Sequence, residues 1–541
     1  MSHHISLILH NANVMTMDPR QPMAAAVAVA GERIAAVGSD DEVLSLRQGD
    51  TQLIDCLGLT LVPGLHDAHC HLLATASSLG GLDCSPSRTS TLDQLFQSIK
   101  VRAAELKPGG WIRGFGIDPA QMRDGRFPSR RELDQAAPAN PVRLDHDSGH
   151  AVVLNSVALA AAGIDATTPD PVEGLIERDA NTGEPTGVLY DSAAFLRNRL
   201  GSTRSFEELA AGVSKLSRKL LSYGITSVQD AGHNNGLGQW DTLGRLVEGD
   251  MFLPRVTMMT GANRIGEFLE SGLGWGSGDL RLRLGHAKIM LTLTTGALHP
   301  GQEDLAILAD RCLDSGFPFA VHAVETEALA AVLALTQLAR NPGCAAAGAV
   351  ESNASGLAQN RVEHAAECPP DLMVALARSK ATVVTQPGFI YWRGDRYLQQ
   401  VEPGLQKHLY NFPEMRRQGT PVAFSSDCPV IEASPWPGIL SAVTSRTAEG
   451  NCLVRGTEES GPDGRFSSDY TLQAAVEAYT AVGARAEGTQ DNKGRIRRGM
   501  LADMALVDLP PPGGPFDCLP ATTARLTILG GKIVWEEGPE N

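Results

Sequence analysis

The regular alternation of strand-like and helix-like segments between about residues 63 and 490 most constrains the fold. Strands that alternate with helices form parallel sheets, and many such units favour a closed (β/α)₈ barrel of the TIM type. A doubly wound open sheet is the alternative, although no Gly-x-Gly-x-x-Gly or Walker-type loop follows a strand. The strand-like segments number eight: VPGLHDAHCH, ITSVQDAG, LPRVTMMT, LGHAKIML, FAVHAVE, RVEHAAE, TVVTQPG and VAFSSD.

Both ends of the chain are rich in short strand-like segments, whereas the middle is not. Near the carboxyl end, ARLTIL and KIVWEE flank Gly530-Gly531, a two-residue hairpin turn. Because chain termini often lie close together, residues 1–62 and 491–541 are predicted to form one small β-sandwich domain. The barrel then spans 63–490, and the count of eight strands requires an inserted subdomain at about 80–200, after the first barrel strand.

The net charge and the hydropathy of the chain restrict the classes of partner that it can bind. The 541 residues include 46 Lys and Arg against 62 Asp and Glu, a net charge of −16, so a nucleic-acid partner is not expected. No apolar run reaches the roughly 18 residues of a membrane helix, and the start MSHHISLILHNANV lacks the pattern of a signal peptide. We therefore expect a soluble, cytoplasmic protein that acts on a small molecule, without a membrane partner. Association into a homo-oligomer is left open.

Side chains that bind metals recur at the ends of the strand-like segments. His69 and His71 stand two apart, so both imidazoles share one face of a strand while Cys70 faces the other way. Taken singly, such residues have structural explanations, such as a hydrogen-bonded core histidine or a helix cap. Because barrel strands end at one mouth, where active sites lie, the set together predicts a metal site. The further candidates, each on a different strand, are Lys288, His322, His364 and Asp427.

Several longer segments make the sequence recognisable. In order, they are LVPGLHDAHCHL, NPVRLDHDSGHAVVLNSVALAAAGI, GEPTGVLYDSA, YGITSVQDAG, RVEHA, PVAFSSDCPV and NKGRIRRGMLADMALVD. With this order and spacing, nearly the whole chain resembles the amidohydrolase superfamily. The resemblance is greatest to the branch of N-substituted formamide deformylase-like, metal-dependent hydrolases.

The resemblance implies a ligand set for one or two divalent metal ions, with Zn²⁺ favoured. His69 and His71 match the ligands of the more buried ion. His322 and His364 match the ligands of the second ion. Lys288 matches the lysine that can be carboxylated to a carbamate bridging two metals.

The resemblance also implies two roles beyond metal binding. Asp427 matches the residue that both ligates a metal and takes the proton from the attacking water. His150 matches a histidine of the insertion that lies near the substrate. The aromatic residues Tyr391 and Trp392, in the loop expected after the seventh strand, are further candidates for substrate binding. Ordinary packing of that loop is the alternative.

Two departures from the branch pattern border the predicted site. Thr292-Leu293 stands where the branch commonly has Asp-Gly. Glu325-Thr326 stands where it commonly has Gly-Asp, within His-Ala-x-Gly-Asp. All six metal positions are present, but these changes leave the metal count, the carboxylation of Lys288 and the substrate open.

The leading hypothesis is an amidohydrolase that cleaves the C–N bond of an amide-like small molecule with metal-activated water. No Gly-x-Ser-x-Gly elbow supports a serine nucleophile. The open alternatives are also metal-dependent reactions. They are hydrolysis of a cyclic amide, a carbamate, a urea, an ester or a lactone, or deamination of a ring. A catalytically inactive metal-binding protein is less favoured because none of the six ligand positions is missing.

Overall fold

The computed structural model describes residues 4–85, 88–146, 149–171, 174–200, 206–293, 296–338, 360–453, 470–511 and 514–538. The chain divides into two compact units. The first unit consists of Met1–His71 and Ser217–Asn541, and the second is Leu72–Leu216. Among the described residues, no helix is both long enough and apolar enough to cross a membrane.

The strands of the described ranges follow in chain order. They are β1 (Leu7–His10), β2 (Asn13–Met15), β3 (Met23–Ala24), β4 (Ala26–Ala30), β5 (Arg33–Gly38), β6 (Gln52–Asp55), β7 (Thr60–Pro63), β8 (Leu65–Cys70), β9 (Leu82–Asp83), β10 (Ile112–Ile117), β11 (Val142–His146), β12 (Ala151–Leu154), β13 (Leu175–Arg178), β14 (Pro185–Tyr190), β15 (Ile225–Asp230), β16 (Arg255–Gly261), β17 (Leu282–Met290), β18 (Phe319–Ala323), β19 (Arg361–His364), β20 (Thr382–Thr385), β21 (Val422–Phe424), β22 (Met504–Val507), β23 (Ala524–Leu529) and β24 (Lys532–Glu536).

The helices of the same ranges alternate with the strands through the middle of the chain. They are α1 (Asp40–Leu44), α2 (Leu72–Ser78), α3 (Leu92–Glu105), α4 (Arg130–Ala136), α5 (Ser156–Ala161), α6 (Ala193–Leu200), α7 (Phe206–Ser222), α8 (Leu237–Glu248), α9 (Ile265–Glu270), α10 (Gln302–Asp314), α11 (Thr326–Leu338), α12 (Pro370–Ser379), α13 (Gly388–Gln400), α14 (Pro403–Gln406), α15 (Phe412–Arg417), α16 (Pro435–Thr444), α17 (Leu472–Ala478) and α18 (Ala481–Glu487).

Eight parallel strands form the central sheet of the first unit, in the order β8-β15-β16-β17-β18-β19-β20-β21. Each strand-like segment named in the sequence analysis supplies one of them. Backbone hydrogen bonds of 2.8 Å from Asp427 N to His69 O and from His71 N to Cys428 O link the chain after β21 to the end of β8. The sheet is therefore nearly closed. The predicted (β/α)₈ barrel is confirmed, and the open doubly wound sheet is wrong.

Strands from the two ends of the chain pair with each other. In a six-stranded sheet of order β24-β23-β22-β7-β2-β3, β22 lies antiparallel to β7, with Thr60 opposite Val507. A four-stranded sheet has the order β5-β4-β1-β6. One apolar core contains Leu9 and Val29 from the four-stranded sheet and Met504 from the six-stranded sheet. The proposed domain boundaries at 62 and 491 stay predictions.

The second unit begins directly after the first barrel strand. Its six-stranded sheet has the order β13-β14-β12-β11-β10-β9. Strands β9, β10 and β11 are parallel, whereas β12, β14 and β13 follow in antiparallel pairs. The sheet therefore differs from the barrel in topology, and it buries an apolar core of its own that includes Leu95, Ile112 and Leu133.

Candidate active site

The six candidate metal ligands all lie at the carboxyl ends of barrel strands. Strand β8 contains His69 and is followed at once by His71, and β17 contains Lys288. His364 ends β19, and His322 lies opposite Glu363 in the parallel register of β18 with β19. Asp427 follows the end of β21 by three residues. Since parallel strands of a barrel end at one face, local strand structure brings these side chains to the same mouth.

The imidazoles and the carboxylate of this set converge. The ring centroid of His69 lies 5.0 Å from that of His364 and 5.5 Å from that of His71. The rings of His322 and His364 lie 4.4 Å apart. Asp427 Oδ1 lies 3.2 Å from His71 Nε2 and 3.5 Å from His69 Nε2. One ligand atom each of His69, His364 and Asp427 lies within 4.8 Å of the others, a spacing that can hold a metal ion.

Burial gives these groups the protonation states that metal binding requires. Burial, together with the positive charge of Lys288, lowers the pKa of His69 to about 3. Burial likewise lowers the pKa of His322 and of His364. Burial alone raises the pKa of the Asp427 carboxyl, but its hydrogen bond with His71 and its other histidine neighbours hold this pKa well below its usual range. Burial lowers the pKa of His71 as well, but the same hydrogen bond outweighs it, so the pKa of His71 is raised. The site therefore presents His69, His322 and His364 as neutral imidazoles and Asp427 as an ionised carboxylate, which are the ligand forms of these side chains.

The side chain of Lys288 is buried inside the barrel. The residue is 3% exposed, and its Nζ has no hydrogen-bond partner among the described residues. Burial lowers the pKa of the amine to about 8, although the negative charges of Glu363 and Asp427 oppose that shift. The neutral form of the amine is therefore more populated near neutral pH than it is for an exposed lysine.

Glu363 contacts a candidate ligand and was missed by the sequence analysis. His69 Nδ1 donates a hydrogen bond to Glu363 Oε2, on the opposite edge of the ring from the nitrogen that faces Asp427. Arg361 Nε donates to Glu363 Oε1 at 2.8 Å. Arg361 and Glu363 stand two apart on a buried strand, so both point to one face. That Arg-x-Glu spacing is the signal that predicts an ion pair here.

Gln386 is the second residue that the sequence analysis missed. His364 Nδ1 donates to Gln386 Oε1 at 2.8 Å, and Gln386 Nε2 donates to Ser425 Oγ at 3.0 Å. The residue directly follows β20, the strand next to that of His364. Nothing in its local sequence distinguishes it from an ordinary polar residue after a strand.

Cys70 belongs to a separate buried group. Its Sγ, the Sγ of Cys428 and a carboxylate oxygen of Asp67 lie within 4.8 Å of one another. Asp67 Oδ1 also accepts a 3.0 Å hydrogen bond from Ser426 N. Strict alternation along β8 would place Asp67 on the face of His69. The register of β8 against β15 shifts between Asp67 and Cys70, which interrupts that alternation.

The structure places the three predicted substrate-binding residues on other elements. His150 belongs to the second unit, where its Nδ1 donates to Asp191 Oδ1 at 2.6 Å and its side chain is 63% exposed. Tyr391 and Trp392 pack edge to face, with ring centroids 4.9 Å apart. Trp392 is 45% exposed.

The expectation that Tyr391 and Trp392 occupy a loop is wrong, because both lie in helix α13. Phe389, Ile390 and Gly394 of this helix are buried. Ile390 and Gly394 lie four residues apart, the spacing that puts side chains on one face of a helix. The segment therefore forms a helix that buries one of its faces.

The fold and the site together define a TIM-barrel protein with a candidate metal centre at the carboxyl ends of its strands. Residues 52–535 match the model described as the Amidohydrolase family. The N-substituted formamide deformylase of Arthrobacter pascens is 30% identical over 97% of this chain and 96% of its own length. The chain belongs to the amidohydrolase family and is a hydrolase acting on carbon–nitrogen bonds other than peptide bonds.

Solved structures share the fold. An uncharacterised metal-dependent hydrolase of Pyrococcus horikoshii superposes with a TM-score of 0.73 at 20% identity, covering 93% of this chain and 97% of its own. An uncharacterised metal-dependent hydrolase of Pyrococcus furiosus superposes with a TM-score of 0.71 at 21% identity, covering 93% and 99%.

Proposed function

We propose that this amidohydrolase cleaves the C–N bond of an amide-like small molecule with water activated by a divalent metal ion. The observation that carries the proposal is the approach of one ligand atom each of His69, His364 and Asp427 to within 4.8 Å. The donor set fits such an ion, because the buried imidazoles are neutral and the carboxylate is ionised. Zn²⁺ is the ion that we favour, since it combines nitrogen and oxygen ligands of this kind in catalytic sites.

The chain's own residues supply the proton transfers of the reaction. A divalent ion bound at the centre would lower the pKa of the attacking water and would act as a Lewis acid toward the substrate carbonyl. The ionised Asp427 accepts the proton of the attacking water. It then donates that proton to the leaving nitrogen, which departs poorly as an anion. One carboxylate therefore serves first as base and then as acid.

Lys288 is proposed to be carboxylated, so that its carbamate holds two metal ions. The support is the buried Nζ without a hydrogen-bond partner among the described residues. A neutral amine attacks carbon dioxide, forms an N–C bond and releases one proton, which leaves an anionic carbamate. The lowered pKa of about 8 favours the neutral amine that this step needs. The new negative charge would then compensate for the cations that the centre binds.

The substrate class is proposed from the curated relative. Its name indicates action on N-substituted formamides, which makes such amides the first substrates to test. We propose that His150, Tyr391 and Trp392 contact the substrate, whose apolar part would face the two aromatic rings. A cytoplasmic location is part of the same proposal.

Metal analysis and a substrate panel test this function together. The purified protein should contain one or two equivalents of zinc, and a strong chelator should abolish hydrolysis until zinc is restored. The panel combines linear N-substituted formamides and amides with a cyclic amide, a carbamate, a urea, a lactone and an aminated ring. Turnover of linear amides alone supports the proposal. Turnover of only cyclic or aminated compounds would favour one of the alternative reactions instead. An active preparation without metal would contradict the proposal.

A further inference from the structure

Glu363 lies directly behind a candidate metal ligand, on the side away from the centre. Its side chain is fully buried, and it accepts a hydrogen bond from His69 Nδ1. The other ring nitrogen, Nε2, lies 3.5 Å from Asp427 Oδ1. A carboxylate at Nδ1 keeps the proton on that nitrogen, so the lone pair of Nε2 faces the centre.

Arg361 fixes Glu363 in this position. Arg361 Nε donates to Glu363 Oε1 at 2.8 Å, and Nη2 donates to Glu363 Oε2 at 3.0 Å. Nη2 also donates to the backbone oxygen of Ala68 at 2.8 Å, and Nη1 donates to Gln229 Oε1. Both oxygens of Glu363 are thus engaged by the protein. The carboxylate cannot turn toward the centre to become a ligand itself.

His364 is the other candidate ligand whose ring is fixed by a hydrogen bond, and its partner is uncharged. His364 Nδ1 donates to the amide oxygen of Gln386, which Ser425 holds in turn. Both histidines therefore present Nε2 to the centre, but only His69 has an anion behind it. A carboxylate partner makes an imidazole a stronger donor than an amide partner does.

We propose that Glu363 is a positioning residue of the metal centre, which fixes the tautomer of His69 and strengthens its bond to the metal. Gln386 orients His364 without adding charge. The inference rests on the proposed function only in requiring that His69 binds a metal ion.

The barrel offers a matched control in Glu487. This carboxylate is also buried, and it lies 3.0 Å from His66 Nε2 and 2.9 Å from Lys493 Nζ. It thus repeats the contacts of Glu363 with one histidine and one cation. His66 is not a candidate ligand.

Zinc affinity measured by chelator competition on the full chain tests the proposal. Glu363→Gln should raise the zinc dissociation constant about 10–100-fold, the range typical for partners of metal-bound histidines. Glu487→Gln should leave this constant unchanged while lowering thermal stability. Equal affinities in the wild type and Glu363→Gln overturn the inference, as does an equal loss in both variants. A wild-type protein that binds no zinc contradicts the proposed function instead.

Two further measurements cover the case in which Glu363→Gln does not fold because the Arg361 charge is left unpaired. The double variant Arg361→Met, Glu363→Gln removes both charges, and its zinc affinity should fall by the same factor. Nitrogen NMR of histidines in the metal-free wild type, assigned with His69→Asn, should show His69 protonated at Nδ1. Protonation at Nε2 overturns the proposal without any change at Glu363.

Discussion

At the scale of single residues, burial decides what the candidate ligands can do. Burial lowers the pKa of His69 and of His364, which leaves their lone pairs free for a cation. Asp427 behaves oppositely, since its hydrogen bond with His71 and its other histidine neighbours outweigh burial and keep its carboxyl ionised. The same low-polarity interior leaves the amine of Lys288 without a hydrogen-bond partner among the described residues. Each group thus has a protonation state that its residue type alone does not specify.

Asp427→Asn tests the proton transfers. Asparagine keeps the shape of the side chain and one metal-binding oxygen but cannot accept a proton. General acid–base catalysis typically contributes about 10²–10⁴-fold, so kcat should fall by that order while zinc content stays near the wild-type level. Steady-state kinetics and metal analysis on the same preparation check this. A near-normal kcat would limit Asp427 to binding metal.

Lys288→Ala tests carboxylation. If a carbamate bridges two ions, the variant should contain less metal and show less activity. A short carboxylic acid or high bicarbonate should then restore part of both, because either can supply the missing oxygens. If Lys288 were only structural, the variant would be less stable but keep its full metal content. Metal analysis with and without added propionate separates these results.

At the scale of elements, buried ion pairs join strands that are far apart in the chain. Arg255 begins β16 of the barrel, and Asp503 directly precedes β22 of the six-stranded end sheet. Arg255 Nε donates to Asp503 Oδ2 at 2.7 Å, and Nη2 donates to Oδ1 at 2.9 Å. Gly530 N donates to the same Oδ1 at 2.8 Å. This one carboxylate therefore connects the barrel to two segments of the end sheet.

Asp503→Asn should be strongly destabilising. The variant leaves the Arg255 charge buried without its counterion, a loss of about 3–5 kcal/mol in typical cases. Arg416→Gln is the matched control, because its pair with Glu477 is 3.4 Å long and partly exposed, with side-chain exposures of 47% and 34%. Exposed pairs contribute about 0–1 kcal/mol. Thermal unfolding midpoints of both variants check the difference, and similar midpoints would contradict it.

At the scale of the whole molecule, the barrel interior holds buried charges as well as apolar side chains. Arg361 and Glu363 form one buried pair, and Lys493 and Glu487 form another. His66 contacts the second pair, and burial lowers its pKa. The stability of the molecule must therefore depend on pH through groups that lie far from its surface.

Stability of the metal-free protein should fall as pH drops below about 6.5. Each buried neutral histidine, such as His66, stays unprotonated in the folded state, whereas the unfolded chain binds the proton near pH 6.5. The unfolded state is then favoured by up to about 1.4 kcal/mol per pH unit for each such group. Urea unfolding at pH 7.5 and 5.5 measures the slope. His66→Gln should show a shallower slope, and an unchanged slope would contradict the assignment of His66 as neutral.

The sequence by itself determined the eight barrel strands, their order and the six candidate ligands at their carboxyl ends. It could do so because strand alternation and the order of parallel units are local properties. Two residues such as His69 and His71 share a face of any regular strand that contains both. The family followed from the same segments, taken in order.

Only the tertiary structure decided which residues form hydrogen bonds with the candidate ligands and pack around them. His69 and Glu363 are 294 residues apart, so their hydrogen bond depends on barrel closure, which no local pattern encodes. The amine of Lys288 has no hydrogen-bond partner among the described residues, and this too depends on every neighbour that packs around it. Helix α13 replaced an expected loop because burial of Ile390 and Gly394 on one face is fixed by the elements it packs against. Local periodicity fixes which residues reach the site, and long-range packing fixes their protonation states and partners.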